Sequence, residues 1–372
     1  MSINLRSIFM VSMSCALFFG FLHLFVPDGE SYNFERLHIF LFNLCSGGTI
    51  VLFYTENREK ISCKVILFAL LAICYAIFAF LKLYIPTIII SPVLALIVEI
   101  IRIKKFSIFP VNFFRASAPV SEKFHQASLL CLSIGLMISC LVILNNEYLK
   151  IISLPKLKLD TFFLGFSFPL SLITMSVMFS LMKDEGKIVM ALKNTGFWAV
   201  NIGVIVFFLY ILFERLVPQI IVTTILFATV IMIFNLFRRL GDDVQQKNFL
   251  LSGMVFLLVT AITGILYIIL EFFPEYYNSG LSKFLLKLHS FASLYGWNLS
   301  GLAVICRYRD FPINLHSDWV IFLHWVIVLI LAPLGVYYRF SALLAVISYT
   351  VLLYIIFSSD GRKPDTSVTK LF

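Results

Sequence analysis

Twelve apolar runs, each close to the length that crosses a bilayer, account for most of this chain. A spanning helix needs about 20 predominantly apolar residues. By that measure the runs lie at 7–26, 37–54, 65–83, 86–101, 127–145, 161–182, 196–213, 217–237, 249–270, 288–306, 319–338 and 340–357. The divisions at Ile85-Pro86, Val217-Pro218 and Tyr338-Arg339 leave only a few residues for a turn, so the count carries a margin of one either way. Only 13% of the 372 residues are charged, about half the share of a soluble domain, and mean hydropathy is +0.98. In lipid every backbone polar group must be satisfied within its own segment. The expected fold is therefore an all-α polytopic membrane protein, one integral domain over 1–372.

Lys and Arg orient it. With the N-terminus on the cytoplasmic side, 20 of the 29 basic residues fall on inside segments and 9 on outside ones. That split fits the positive-inside rule and puts both termini in the cytoplasm. The loop from Asn146 to Asp160, with three lysines outside, runs against the trend. The net charge of +9 follows from this topology, and no nucleic-acid partner is implied. Arg6 precedes an apolar run longer than the roughly 7–15 residues of a signal-peptide core, and no small-x-small site follows, so the run reads as a retained first helix. The Phe, Ile, Leu and Lys bias is that of a low-GC genome, and a bacterial cytoplasmic membrane is the expected location. The longest loop, 102–126, is too short for a second domain, and 357–372 reads as a flexible cytoplasmic tail. The seven cysteines form no Cys-x-x-Cys, so neither a disulfide framework nor a zinc site is indicated.

Polar groups within a span are functional candidates by default. The one intramembrane carboxylate, Glu99, precedes Arg102 by a single turn and reads as half of an interfacial ion pair. The histidines say more. On this topology His23 ends the first run, His38 opens the second and His289 opens the tenth, all near the outer surface; His125, His316 and His324 lie toward the inner side. Neutral imidazole is the usual protein ligand for haem iron and also suits copper. An interfacial histidine that turns its polar edge to headgroups is the ordinary alternative for each one singly. His38 stands in the densest polar stretch, with Arg36, Asn43, Gly47 and Gly48. Gly296, Asn298 and Gly301 on the tenth run, and Asn201 and Gly203 on the seventh, would likewise admit a close neighbour.

Arg36-Leu37-His38, followed by Gly47-Gly48 and Tyr54, resembles the second helix of the haem-copper oxidase catalytic subunit, above all in its nitric oxide reductase branch. The tenth run, His289-Ser290-Phe291 with Gly296 five residues on, is similar to that family's His-x-His helix. Phe291 stands where the second histidine, the low-spin haem ligand, would be. The family's further metal ligands on helices 6 and 7 have no counterpart, since 161–182 and 196–213 contain no histidine. The resemblance thus implies a degenerate relative with twelve helices and no complete oxidase or reductase centre. It would bind a haem or metal through His38, with His289 or His23 opposite, and pass electrons between a membrane quinol and a c-type cytochrome or other membrane subunit. Two other readings stand beside it. One is a secondary transporter or flippase of another twelve-helix class, with Pro169 and Pro333 as candidate helix breaks. The other is a non-catalytic subunit of a membrane complex with no cofactor.

Overall fold

A computed structural model describes residues 3–26, 33–56, 61–154, 156–157, 163–184, 186–277, 280–308, 310–312 and 317–359. His316 and the tail beyond Ser359 lie outside them. Among the described residues the chain is helical, without strands. Its rods are α1 (Ile3–Phe21), α2 (34–56), α3 (Cys63–Phe80), α4 (Tyr84–Lys105), α5 (Val120–Leu149), α6 (163–180), α7 (Gly186–Leu212), α8 (Leu216–Leu240), α9 (Gln246–Leu270), α10 (280–306), α11 (Asp318–Gly335) and α12 (Arg339–Ser358). Ten of these are long and apolar enough to cross a membrane. The described part of α6 is shorter, and α10 is interrupted by the polar stretch around Asn298.

The tight turns fall a few residues before the expected divisions. Lys82 and Glu214 take left-handed backbone conformations, with φ of 59° and 53°. Leu83 N–H then reaches back to the Phe78 carbonyl at 2.8 Å, and Arg215 N–H to that of Tyr210 at 2.9 Å. These six-to-one bonds satisfy helix-end carbonyls that would otherwise be bare. Pro86 and Pro218 thereby become the third residues of α4 and α8, where a missing N–H is harmless.

Three helices begin seven or more residues earlier than hydropathy suggests. α5 starts at Val120, α7 at Gly186 and α10 at Gly280, so Lys123, His125 and Lys193 are part of the bundle and His289 lies well inside α10 instead of opening it. Hydropathy ends a span at its first charge, but here the charges have internal partners. Lys193 Nζ meets the carbonyls of Met182 and Lys183 and the Asp184 carboxylate. His125 Nε2 meets Thr55 Oγ1 at 2.8 Å. The same end of the bundle holds Glu99, whose carboxylate takes Arg102 Nε and Nη2 at 2.6–3.0 Å. Arg6 and Arg307 share Asp310 there, and Arg307 also ties down the carbonyls of Ile356 and Ser359 at the end of α12.

Three rods form the interior. α2, α6 and α10, spaced four apart along the chain, touch one another and are flanked by the remaining helices. The window of α2 is 78% buried, far above that of the flanking spans. Close approach is made by small residues. Gly301 of α10 faces Thr174 of α6, Gly47 of α2 faces Leu170 of α6, and Gly296 of α10 faces Phe256 of α9. Each interior rod also carries a π-helical stretch, at Phe40–Gly48, Phe163–Ser167 and Ala292–Asn298. In these the wider turn lets a polar side chain or a carbonyl reach a neighbouring helix. Trp297 Nε1–H donates to Ser171 Oγ at 2.6 Å, and Asn298 Nδ2–H to Ser167 Oγ at 3.2 Å.

Candidate functional site: the His38 junction

His38 lies one turn into α2, after an entry fixed by Asn33, whose side-chain oxygen accepts Arg36 N–H at 2.9 Å. Its ring rests on Gly20 of α1, so close that a methyl group there would lie 3.4 Å from the imidazole Cγ. On α10 it meets the Tyr295 ring nearly parallel, with centroids 6.4 Å apart and 20° between planes. Phe42, one turn further along α2, meets Tyr295 edge-on at 5.0 Å. Tyr349 of α12 packs against the same ring at 5.2 Å. α1, α2, α10 and α12 therefore converge here.

The junction is polar and unsatisfied. His38 Nδ1 and the hydroxyls of Tyr295 and Tyr349 are buried without a hydrogen-bond partner among the described residues. So are Asn43 Oδ1 of α2 and Asn298 Oδ1 of α10. Buried polar atoms are paired in the great majority of proteins, and in a bundle interior an unpaired one costs about 1–3 kcal/mol. A polar ligand or ordered water would satisfy them.

The three expected histidines lie toward one end of the bundle but are not gathered into one cluster. His23 adjoins the His38 side: its Nδ1–H donates to the Gly20 carbonyl at 3.2 Å, and Gly20 is the residue on which His38 rests. His289 turns to α9, where its Nδ1–H donates to the Thr260 carbonyl at 2.9 Å and its ring covers Gly264. Residues two apart on a helix point about 200° apart. Phe291 accordingly faces the other way, against Phe21 at 5.8 Å and Tyr295 at 5.9 Å. Among the described residues no three His, Cys, Asp or Glu side chains group as for a metal ion. Of the supporting residues, Asn43 is in the interior, while Gly47, Gly48 and Gly296 serve helix packing against Leu170, Phe68 and Phe256.

Tyr295, Tyr349 and His324 are the site's additions. His324 is fully buried, and its Nε2–H donates to the Tyr295 carbonyl at 2.7 Å, with Phe249 and Phe256 against its ring. Tyr295 lies one turn beyond Phe291, a spacing visible in sequence; nothing in the sequence brings Tyr349 of α12 to it. Compared with known protein families, curated proteins and solved structures, the chain has no match.

Proposed function

We propose that this chain is a haem-copper-oxidase-like protein of the bacterial cytoplasmic membrane, with twelve spans and both termini inside. In this reading it binds one haem or metal ion through His38 and takes part in membrane electron transfer. The observation that carries the reading is the His38 imidazole, whose buried Nδ1 has no partner among the described residues, set between Gly20 and a tyrosine whose hydroxyl likewise has none among them. Two further observations support it. The inner helices α2 and α10 are those whose sequences resemble the family's ligand-bearing helices. Phe291, in place of the second ligand, faces the same aromatic cluster as His38.

The residues supply one imidazole as a protein ligand and do not fit a bis-histidine haem. His289 is committed to α9, and an aromatic ring occupies the opposing position. A bound haem or copper would supply one-electron chemistry. His38 would hold it, Tyr295 would fix the plane of the imidazole by stacking, and the Phe21, Phe42 and Phe291 rings would keep water away. The hydroxyls of Tyr295 and Tyr349 would supply hydrogen bonds at its edge. Without the family's remaining ligands the protein would not be a complete oxidase or reductase. Quinol and a c-type cytochrome, or another membrane subunit, are the proposed electron partners.

The test is a reduced-minus-oxidised optical spectrum of the purified protein, with His38→Ala beside it. The transporter reading draws less support. The helices run on through both Pro169 and Pro333, each just after a π-helical stretch, so neither proline opens an unwound centre.

A further inference from the structure

The opposite end of the bundle contains a buried cation without a counter-charge. Lys123, in the first turn of α5, is 2% exposed. Its ammonium donates to one neutral acceptor, Asn194 Oδ1 of α7, at 2.7 Å. Asn194 is held in turn by its own Nδ2–H to the Met190 carbonyl at 2.9 Å. Among the described residues no carboxylate pairs with Lys123, whereas Arg6, Arg102, Lys193 and Arg307 at this end each have one. A buried ammonium with a single neutral partner is disfavoured unless it gives up its proton or an anion completes it. Three residues on, along the same helix, Gln126 is fully buried with both carboxamide atoms unpartnered among the described residues, including a donor. α5 begins at this end, so its positive dipole end adds to the field, against the Glu122 carboxylate of the same turn.

The covering loop suggests what the anion is. The 106–119 segment packs on α5 through Val111–Phe113 and turns large apolar side chains outward. Ile108, Phe109 and Phe114 are 62%, 71% and 77% exposed, with Lys105 and Arg115 exposed beside them. Exposed aromatic and aliphatic side chains mixed with bases, next to the ends of spanning helices, belong in the headgroup layer of a membrane.

We propose that Lys123, Gln126 and the start of α5 form a binding site for the phosphate of an anionic phospholipid, drawn from the leaflet in which the 106–119 loop sits. Lys123 supplies the charge, Gln126 Nε2–H a further donor, and the apolar loop residues hold the acyl region alongside. The site is independent of the His38 junction.

Native mass spectrometry of the full-length protein in detergent tests it, with dioleoyl phosphatidylglycerol, dioleoyl phosphatidylcholine and inorganic phosphate as probes. The expected result is retained phosphatidylglycerol and little phosphatidylcholine. Lys123→Met should lower phosphatidylglycerol occupancy about tenfold, and Lys123→Arg should keep most of it. Gln126→Leu, which preserves the charge, should lower it about threefold and keeps the test available if Lys123→Met does not fold. Unchanged occupancy in Lys123→Met or in Gln126→Leu overturns the site. Displacement of the lipid by equimolar inorganic phosphate overturns the lipid as its occupant.

Discussion

Gly301→Ala is the sharpest perturbation of the inner three-helix arrangement. A methyl group on Gly301 would overlap Thr174 Oγ1 and lie 2.5 Å from its Cβ and 2.6 Å from its Cγ2, where ordinary contact begins at 3.4 Å. α6 and α10 would have to separate at that level. Neither side can yield cheaply: Thr174 is fully buried and its hydroxyl donates to the Leu170 carbonyl at 2.8 Å. Overpacking typically costs about 1–3 kcal/mol, and so short a contact with a β-branched residue belongs near the upper end. The contact also predicts its own rescue. Thr174→Ala removes Oγ1 and Cγ2 but leaves Cβ, so it restores part of the loss. Thr174→Gly removes all three atoms and restores more, less the roughly 1 kcal/mol that glycine costs inside a helix. The double-mutant cycle should show coupling of about 1.5 kcal/mol or more. Thermal unfolding of the detergent-solubilised protein, followed by near-UV circular dichroism, measures it. An unchanged Tm in Gly301→Ala, or additive effects in the double mutant, would refute the packing of α6 on α10.

Three other outcomes are expected. Glu99→Gln leaves Arg102, 3% exposed, without its acid and should cost about 2–3 kcal/mol, below the full range for a buried pair because the Glu99 side chain is 27% exposed; adding Arg102→Leu should recover part of it, and a neutral Glu99→Gln melt would contradict the pairing. Cys63 is exposed at the start of α3, whereas Cys45 and Cys306 are buried, so a charged maleimide should label it in inside-out vesicles only; labelling in right-side-out vesicles reverses the proposed orientation. The Asp243 carboxyl titrates below its ordinary value because Lys247 hydrogen-bonds to it at 2.8 Å. A depressed acid contributes above its unfolded pKa and loses that contribution as pH falls through the folded one. Lys247→Met should raise the Asp243 titration toward the ordinary carboxylate range in a carbon-detected NMR experiment, and identical curves would sink the pair.

The sequence exposed the helices far better than their arrangement. Runs of about twenty apolar residues follow from backbone satisfaction in lipid, which is local; the turns at Lys82 and Glu214 lie a few residues ahead of the divisions that the prolines suggested. Which helices lie inside is not local. A rod facing lipid and a rod facing other helices are equally apolar, so hydropathy separates α2 from α3 poorly. The usable signal is small and polar residues, dense on α2 at Asn43, Ser46, Gly47, Gly48 and Thr49 and on α10 from Ser293 to Gly301. α6 carries the same mark in Gly165, Ser167, Ser171 and Thr174, but has no histidine to single it out. The His38 junction was half legible. Depth singled out three histidines at the outer ends of their runs, but side-chain direction set His289 against Thr260, His38 against Tyr295 six residues further along α10, and brought Tyr349 in from α12. Lys123, read as a loop residue, became part of the bundle because Asn194 gives it an internal partner.

If His38 holds a redox centre, as proposed, a reduced-minus-oxidised spectrum of protein purified from cells supplied with haem and copper should show a cofactor band that is lost in His38→Ala and kept in His289→Ala. No band in the parent protein, or a band that survives His38→Ala, would rule the centre out.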